Sequence, residues 1–124
     1  MKHISKELSI VLKAFWVTFF VFGFTAFTAL HAQDGEKLFK QNCSACHQVN
    51  KDLVGPALKG VQERWAGKEE LLYKWIKNPA QVKDMGDPYV DALLDEWMPK
   101  GGLMAAQLVS DEEIDAILTY VETW

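Results

Sequence analysis

Cys43, Cys46 and His47 fall within five consecutive positions, and the chain has no other cysteine and no other histidine beyond residue 31. Two thiols and an imidazole this close invite a short list of chemistries. A redox-active C-x-x-C pair of the thioredoxin kind needs strands around it. No segment of this sequence alternates apolar and polar residues over a useful length. A disulfide between the two cysteines would close a very small loop and stabilise little. Structural zinc needs three or four ligands, and nothing outside this stretch and the first 31 residues offers a further Cys or His.

The remaining chemistry is covalent attachment of a c-type haem, for which Cys-x-x-Cys-His is the attachment pattern. Two thiols three positions apart near a helix end can each reach one vinyl group of the same porphyrin. The next residue, His47, then falls under the iron. This explains why the three residues must be adjacent, and it implies one haem held through two thioethers at Cys43 and Cys46. The thiols must be loaded outside the cytoplasm.

The start of the chain supplies a route there. Lys2, Lys6 and Lys13 give a basic beginning, and residues 14–30 are apolar apart from Thr18, Thr25 and Thr28. Ala32 then precedes the polar Gln33-Asp34-Gly35. That order describes a secretory signal. The uncharged stretch is also just long enough to span a bilayer, with the lysines inside. The expected organisation is therefore a signal peptide or uncleaved membrane anchor over residues 1–32, and one exported, periplasmic domain over residues 33–124, soluble or tethered to the outer face of the inner membrane.

Residues 1–32 hold three of the 13 basic and one of the 17 acidic residues, leaving 10 against 16 and a net charge of −6. That balance argues against nucleic acid as a partner, since phosphate binding needs a basic face. It suits docking to a basic patch on another protein, or serves solubility alone. A domain of about 90 residues buries only about 60–65% of its unfolded surface and is marginal without a disulfide, metal or cofactor.

The elements that would position the motif are helices. Asp34 can cap a helix bearing Leu38 and Phe39 that runs into the cysteines. Gly67-Lys68-Glu69-Glu70 opens a second, with Leu71, Leu72, Trp75 and Ile76 on one face, stopped by Asn78-Pro79. Asp87-Pro88 starts a third, with Val90, Leu93, Leu94 and Trp97 at helical spacing, ended by Pro99 and Gly101-Gly102. Ser110-Asp111-Glu112-Glu113 is a capping box for the last, which buries Ile114, Ile117, Leu118 and Val121. The expected fold is all-α, about four short helices with long loops at residues 48–66 and 99–109. Loops that long in so small a domain need something large and rigid to pack against. Trp65, Trp75, Trp97, Tyr73 and Tyr89 are expected to line that core.

Residues 35–124 resemble a class I c-type cytochrome. Gly35 and Phe39 resemble the glycine and aromatic of that family's first helix, and Ile117 and Tyr120 the pair on its last helix. Gly55-Pro56 resembles the loop whose proline carbonyl accepts the ligand histidine's proton. That bond from His47 Nδ1 would fix the ring and leave Nε2 for iron. The family commonly places its methionine ligand just ahead of the last helix, which points to Met104. Met98, followed by a proline, and Met85 are the alternatives. Arg64 and Trp65 are placed to hydrogen-bond the haem propionates. The resemblance implies an electron carrier, not an enzyme. Its redox protein partners would be a quinol-oxidising complex and a terminal oxidase or reductase. Two other readings stand beside it. One is a permanent membrane-anchored subunit, with Asp87, Asp91, Asp95 and Glu96 as an interface. The other is a haem enzyme or sensor with an open sixth iron position.

Overall fold

Two helices from opposite ends of the domain touch at a glycine. In the computed structural model, which describes residues 34–124, helix α1 (residues 34–42) crosses helix α6 (Asp111–Glu122) at Gly35. A Cβ on Gly35 would lie 2.2 Å from the Ala116 carbonyl oxygen and 3.0 Å from Tyr120 Cβ. Only glycine allows the backbones this close. One turn on, the rings of Phe39 and Tyr120 pack with centroids 5.7 Å apart. Ile117 and Tyr120 are both buried. The leader expected over residues 1–32 lies outside the described residues.

The end of α1 carries the cysteine motif. Cys43 and Ser44 donate their N–H groups to the Phe39 carbonyl at 2.9 and 3.0 Å, and Cys46 and His47 donate theirs to the Cys43 carbonyl at 3.1 and 2.9 Å. The motif is thus wound in turns continuous with the helix. The chain then folds back along itself: Gly55 donates to Cys46 at 2.8 Å, Leu58 to Gln48 at 3.0 Å and Lys59 to Val49 at 2.9 Å.

The described residues form six helices rather than four. Helix α2 (Val61–Arg64) sits inside the expected 48–66 loop. Its cap comes from far away: Glu122 accepts from the Gly60 and Gln62 N–H groups at 3.0 and 3.1 Å. Helix α3 (Glu69–Lys77) buries Leu72 and Trp75, with acids in its first turn and lysines in its last, as the helix dipole favours. Asn78-Pro79 ends α3 as expected but also starts helix α4 (Pro79–Lys83). The Asn78 side chain accepts from Gln81 N–H, and Pro79 sits where its missing N–H costs nothing.

Helix α5 (Pro88–Gly101) begins at Asp87, whose carboxylate accepts from Tyr89 and Val90 N–H. Pro99 does not end it. The helix runs through Pro99 to Gly101 and stops at Gly102, whose φ of 78° turns the chain away and whose N–H returns to the Met98 carbonyl. A proline so near an exposed C-terminus removes only one intrahelical bond, and the turn tolerates it. The capping box of α6 forms in both directions between Ser110 and Glu113. There is no strand among the described residues, and no helix among them is long and apolar enough to cross a membrane. The deepest side chains are Ile114, Val82, Val90 and Val121, drawn from α4, α5 and α6.

Candidate functional site

Every site residue expected from the sequence lines one cavity of about 740 Å³: Cys43, Cys46, His47, Gly55, Pro56, Arg64, Trp65 and Met104. That volume falls in the ordinary range for a sizeable small-molecule site, about 300–1,000 Å³. The walls come from the turns after α1, from α2, α3, α5 and α6, and from the loop between α5 and α6.

Cys43 is half-buried and Cys46 exposed at the rim. Burial pushes the Cys43 thiol up to about 11. The thioredoxin-type reading needs strands around the pair, and none is present among the described residues.

His47 is held in two ways. Its Nδ1 lies 2.8 Å from the Pro56 carbonyl oxygen, so Nδ1 carries the proton and donates. Its ring lies flat against Gly55, where a Cβ would come within 2.4 Å of Cε1 and 2.9 Å of either ring nitrogen. The remaining nitrogen, Nε2, keeps its lone pair for a metal.

The methionines separate by position. Met85 is exposed and lies off the cavity. Met98, on the last turn of α5, lines the cavity but is 45% exposed. Met104 lines it as well and is half-buried, packed against the core with Leu103. Of the three thioethers, Met104 alone combines a place in the wall with core packing.

Arg64 donates to the carbonyls of Lys59 and Ala57, at 2.8 and 2.6 Å, and so braces the segment leading into α2. Trp65 is buried and packs edge-on to Tyr89, with ring centroids 4.8 Å apart, and beside Trp75 at 6.3 Å. Trp75, Tyr89 and Trp97 also reach the cavity. Tyr73 does not: it is partly buried against the core as expected, but lies off the cavity, and its hydroxyl donates to Asp115.

Three contacts that frame the site had no clear trace in the sequence. Glu122 caps α2. The Gln107 N–H reaches the Ile76 carbonyl at 3.1 Å. Gly101 lies directly against Val54, where a Cβ would meet the Val54 carbonyl oxygen at 2.2 Å. The only hints were an acid at the unfavourable end of its own helix and a glycine pair read as a helix stop.

Donor set, cavity and glycine cradle fit a planar, apolar, covalently held group with a histidine beneath it. Comparison with known proteins agrees. The sequence profile of the Cytochrome c family matches residues 32–124. Cytochrome c-551 of Stutzerimonas stutzeri is 52% identical over 54 residues, 40% of this chain and 52% of that protein. Cytochrome c2 of Rhodopseudomonas palustris is 58% identical over 36 residues, 29% of this chain and 31% of that protein. The chain thus spans about half the length, or less, of these curated relatives. Among solved structures, cytochrome c from Rhodothermus marinus superposes with a TM-score of 0.61 at 33% identity, covering 77% of each chain.

Proposed function

Since the chain belongs to the cytochrome c family and carries one covalently attached haem c, we propose that it is an exported electron carrier working between a quinol-oxidising complex and a terminal oxidase or reductase. The observation that carries this reading is the union of Cys43, Cys46, His47 and Met104 in one cavity wall, with His47 already oriented by Pro56. In it Cys43 and Cys46 would hold the haem through their thiols, and His47 Nε2 and the Met104 sulfur would hold its iron. When bound, the haem supplies a one-electron Fe(III)/Fe(II) couple whose potential a thioether ligand raises.

The chain's own residues do the rest. The Pro56 carbonyl fixes the His47 tautomer and makes Nε2 a better donor. The apolar wall around Trp65 and Leu72 keeps water from the iron. Arg64 and Trp65, which line the cavity, would be the residues to hold the propionates. With His47 and Met104 both holding the iron, no coordination position would stay open for a substrate, and the protein would transfer electrons without being an enzyme. The acidic balance beyond residue 32 suits a partner with a basic docking patch.

The test is the intact mass of protein purified from a host that matures c-type cytochromes. Residues 33–124 plus one haem would mark a freely diffusing periplasmic carrier. The full chain plus one haem would mark a tethered carrier, with α5 and its acidic residues the first place to seek a complex. Protein without haem would overturn the reading.

A further inference from the structure

The loop that carries Met104 has no regular structure between Gly102 and Ser110, yet it is pinned at two points. At its start, the last residue of α5 abuts the opposite wall: a Cβ on Gly101 would lie 2.2 Å from the Val54 carbonyl oxygen and 2.7 Å from Val54 Cγ1. Val54 immediately precedes Gly55 and Pro56, the residues that hold His47. The His47 side and the Met104 side of the cavity therefore meet backbone to backbone at this seam. Toward its end, the loop is tied to the last turns of α3 by the Gln107 N–H, which donates to the Ile76 carbonyl at 3.1 Å. Between the two anchors Leu103 and Met104 turn inward and pack against the core, while Ala105 and Ala106 stay exposed.

We propose that the Val54–Gly101 seam and the Gln107–Ile76 hydrogen bond form a two-point clamp that keeps Met104 in the cavity and shuts the sixth iron position to external ligands. The proposal rests on Met104 being the axial ligand. Closure is an equilibrium, and an external ligand sees only the fraction of molecules whose loop is open. Releasing either anchor raises that fraction and turns a carrier into a protein that binds small neutral nitrogen bases. The exchange is a plain substitution: one sulfur–iron bond breaks, one nitrogen–iron bond forms, and no electron or proton is transferred.

Imidazole is the probe, titrated into the oxidised holo-protein, with amide hydrogen exchange of residues 103–107 followed in parallel. Gly101→Ala forces the seam apart and Gln107→Pro deletes the donor at the other anchor. Each is expected to raise imidazole affinity roughly tenfold or more and to speed exchange in the loop. Gly86→Ala is the control, because Gly86 has a φ of 67° with nothing within 4 Å of its missing Cβ and lies off the cavity. It strains the backbone without touching the clamp and should leave the affinity unchanged. Should Gly101→Ala not yield folded holo-protein, Gln107→Pro carries the test. Wild-type affinity in the clamp variants, or an equal rise in Gly86→Ala, overturns the proposal. Met104→Ala separates the two levels. If it binds imidazole tightly while the clamp variants do not, the clamp is wrong. If it binds no tighter than wild type, the assignment of Met104 is wrong and the clamp falls with it.

Discussion

The ring of His47 rests on the bare Cα of Gly55, so close that a single methyl group there would lie 2.4 Å from Cε1. The next residue, Pro56, supplies the carbonyl that holds Nδ1 at 2.8 Å. The two positions define the plane and the tautomer of the ring together.

Gly55→Ala should therefore act on the site before it acts on the fold. The added methyl must turn the ring or push the loop outward, at a cost of about 1–3 kcal/mol. The expected outcome is a lower yield of haem-loaded protein and a lower denaturation midpoint. Haem-to-protein ratio and a guanidinium titration measure both. Wild-type values in each would show that the loop gives way freely.

Met104→Ala should abolish the thioether–iron charge-transfer band and lower the reduction potential, since a thioether ligand raises it. Met98→Ala should leave the band in place, because Met98 is largely exposed at the end of α5. If the band survives the first substitution and vanishes with the second, the ligand is Met98.

Gly35→Ala should split the crossing of α1 and α6. A methyl group there meets the Ala116 carbonyl at 2.2 Å, and this partner is backbone, not a movable side chain. The loss should be about 1–3 kcal/mol, read as a shift in denaturant midpoint with little change in slope. An unchanged midpoint would mean that the two helices slide apart without cost.

The pH dependence of stability should have two identifiable limbs. The Lys68 ammonium above all, helped by the N–H groups of Tyr89 and Val90, holds the Asp87 carboxyl below its ordinary value of 3.8. A depressed folded value means stability that is present above pH 3.8 and lost as the pH falls through the folded value. The hydrogen bond to Asp115 above all pushes the Tyr73 hydroxyl from 10.0 up to about 12. A raised folded value means stability present below pH 10 and lost as the pH climbs toward 12. Asp87→Asn should flatten the acid limb and Tyr73→Phe the alkaline one, in thermal unfolding across both windows. Unaltered limbs would show that neither group is linked to folding.

What the sequence made legible was whatever is local. Cys43, Cys46 and His47 are adjacent, the Ser110 capping box lies within four residues, and the faces of α3, α5 and α6 follow helical spacing. The bond between His47 and Pro56 spans nine residues and came from likeness to a family, not from periodicity. Helix α2 was missed because its cap lies 62 residues from the Gly60 N–H it serves. Helix α4 was missed because Asn78-Pro79 reads as a stop when it is both a stop and a start. Pro99 was read as a breaker, but one proline in an exposed last turn does not outweigh the packing of Leu93 and Leu94 further back in the same helix.

The reach of Glu122 across the domain also joins two distant segments into one part. Its carboxylate accepts from the N–H groups of Gly60 and Gln62, so the short helix leading to Arg64 and Trp65 is latched from the last turn of α6. Fraying of α6 at that turn and loosening of the wall beside Trp65 are thus a single event: the latch and the door open together.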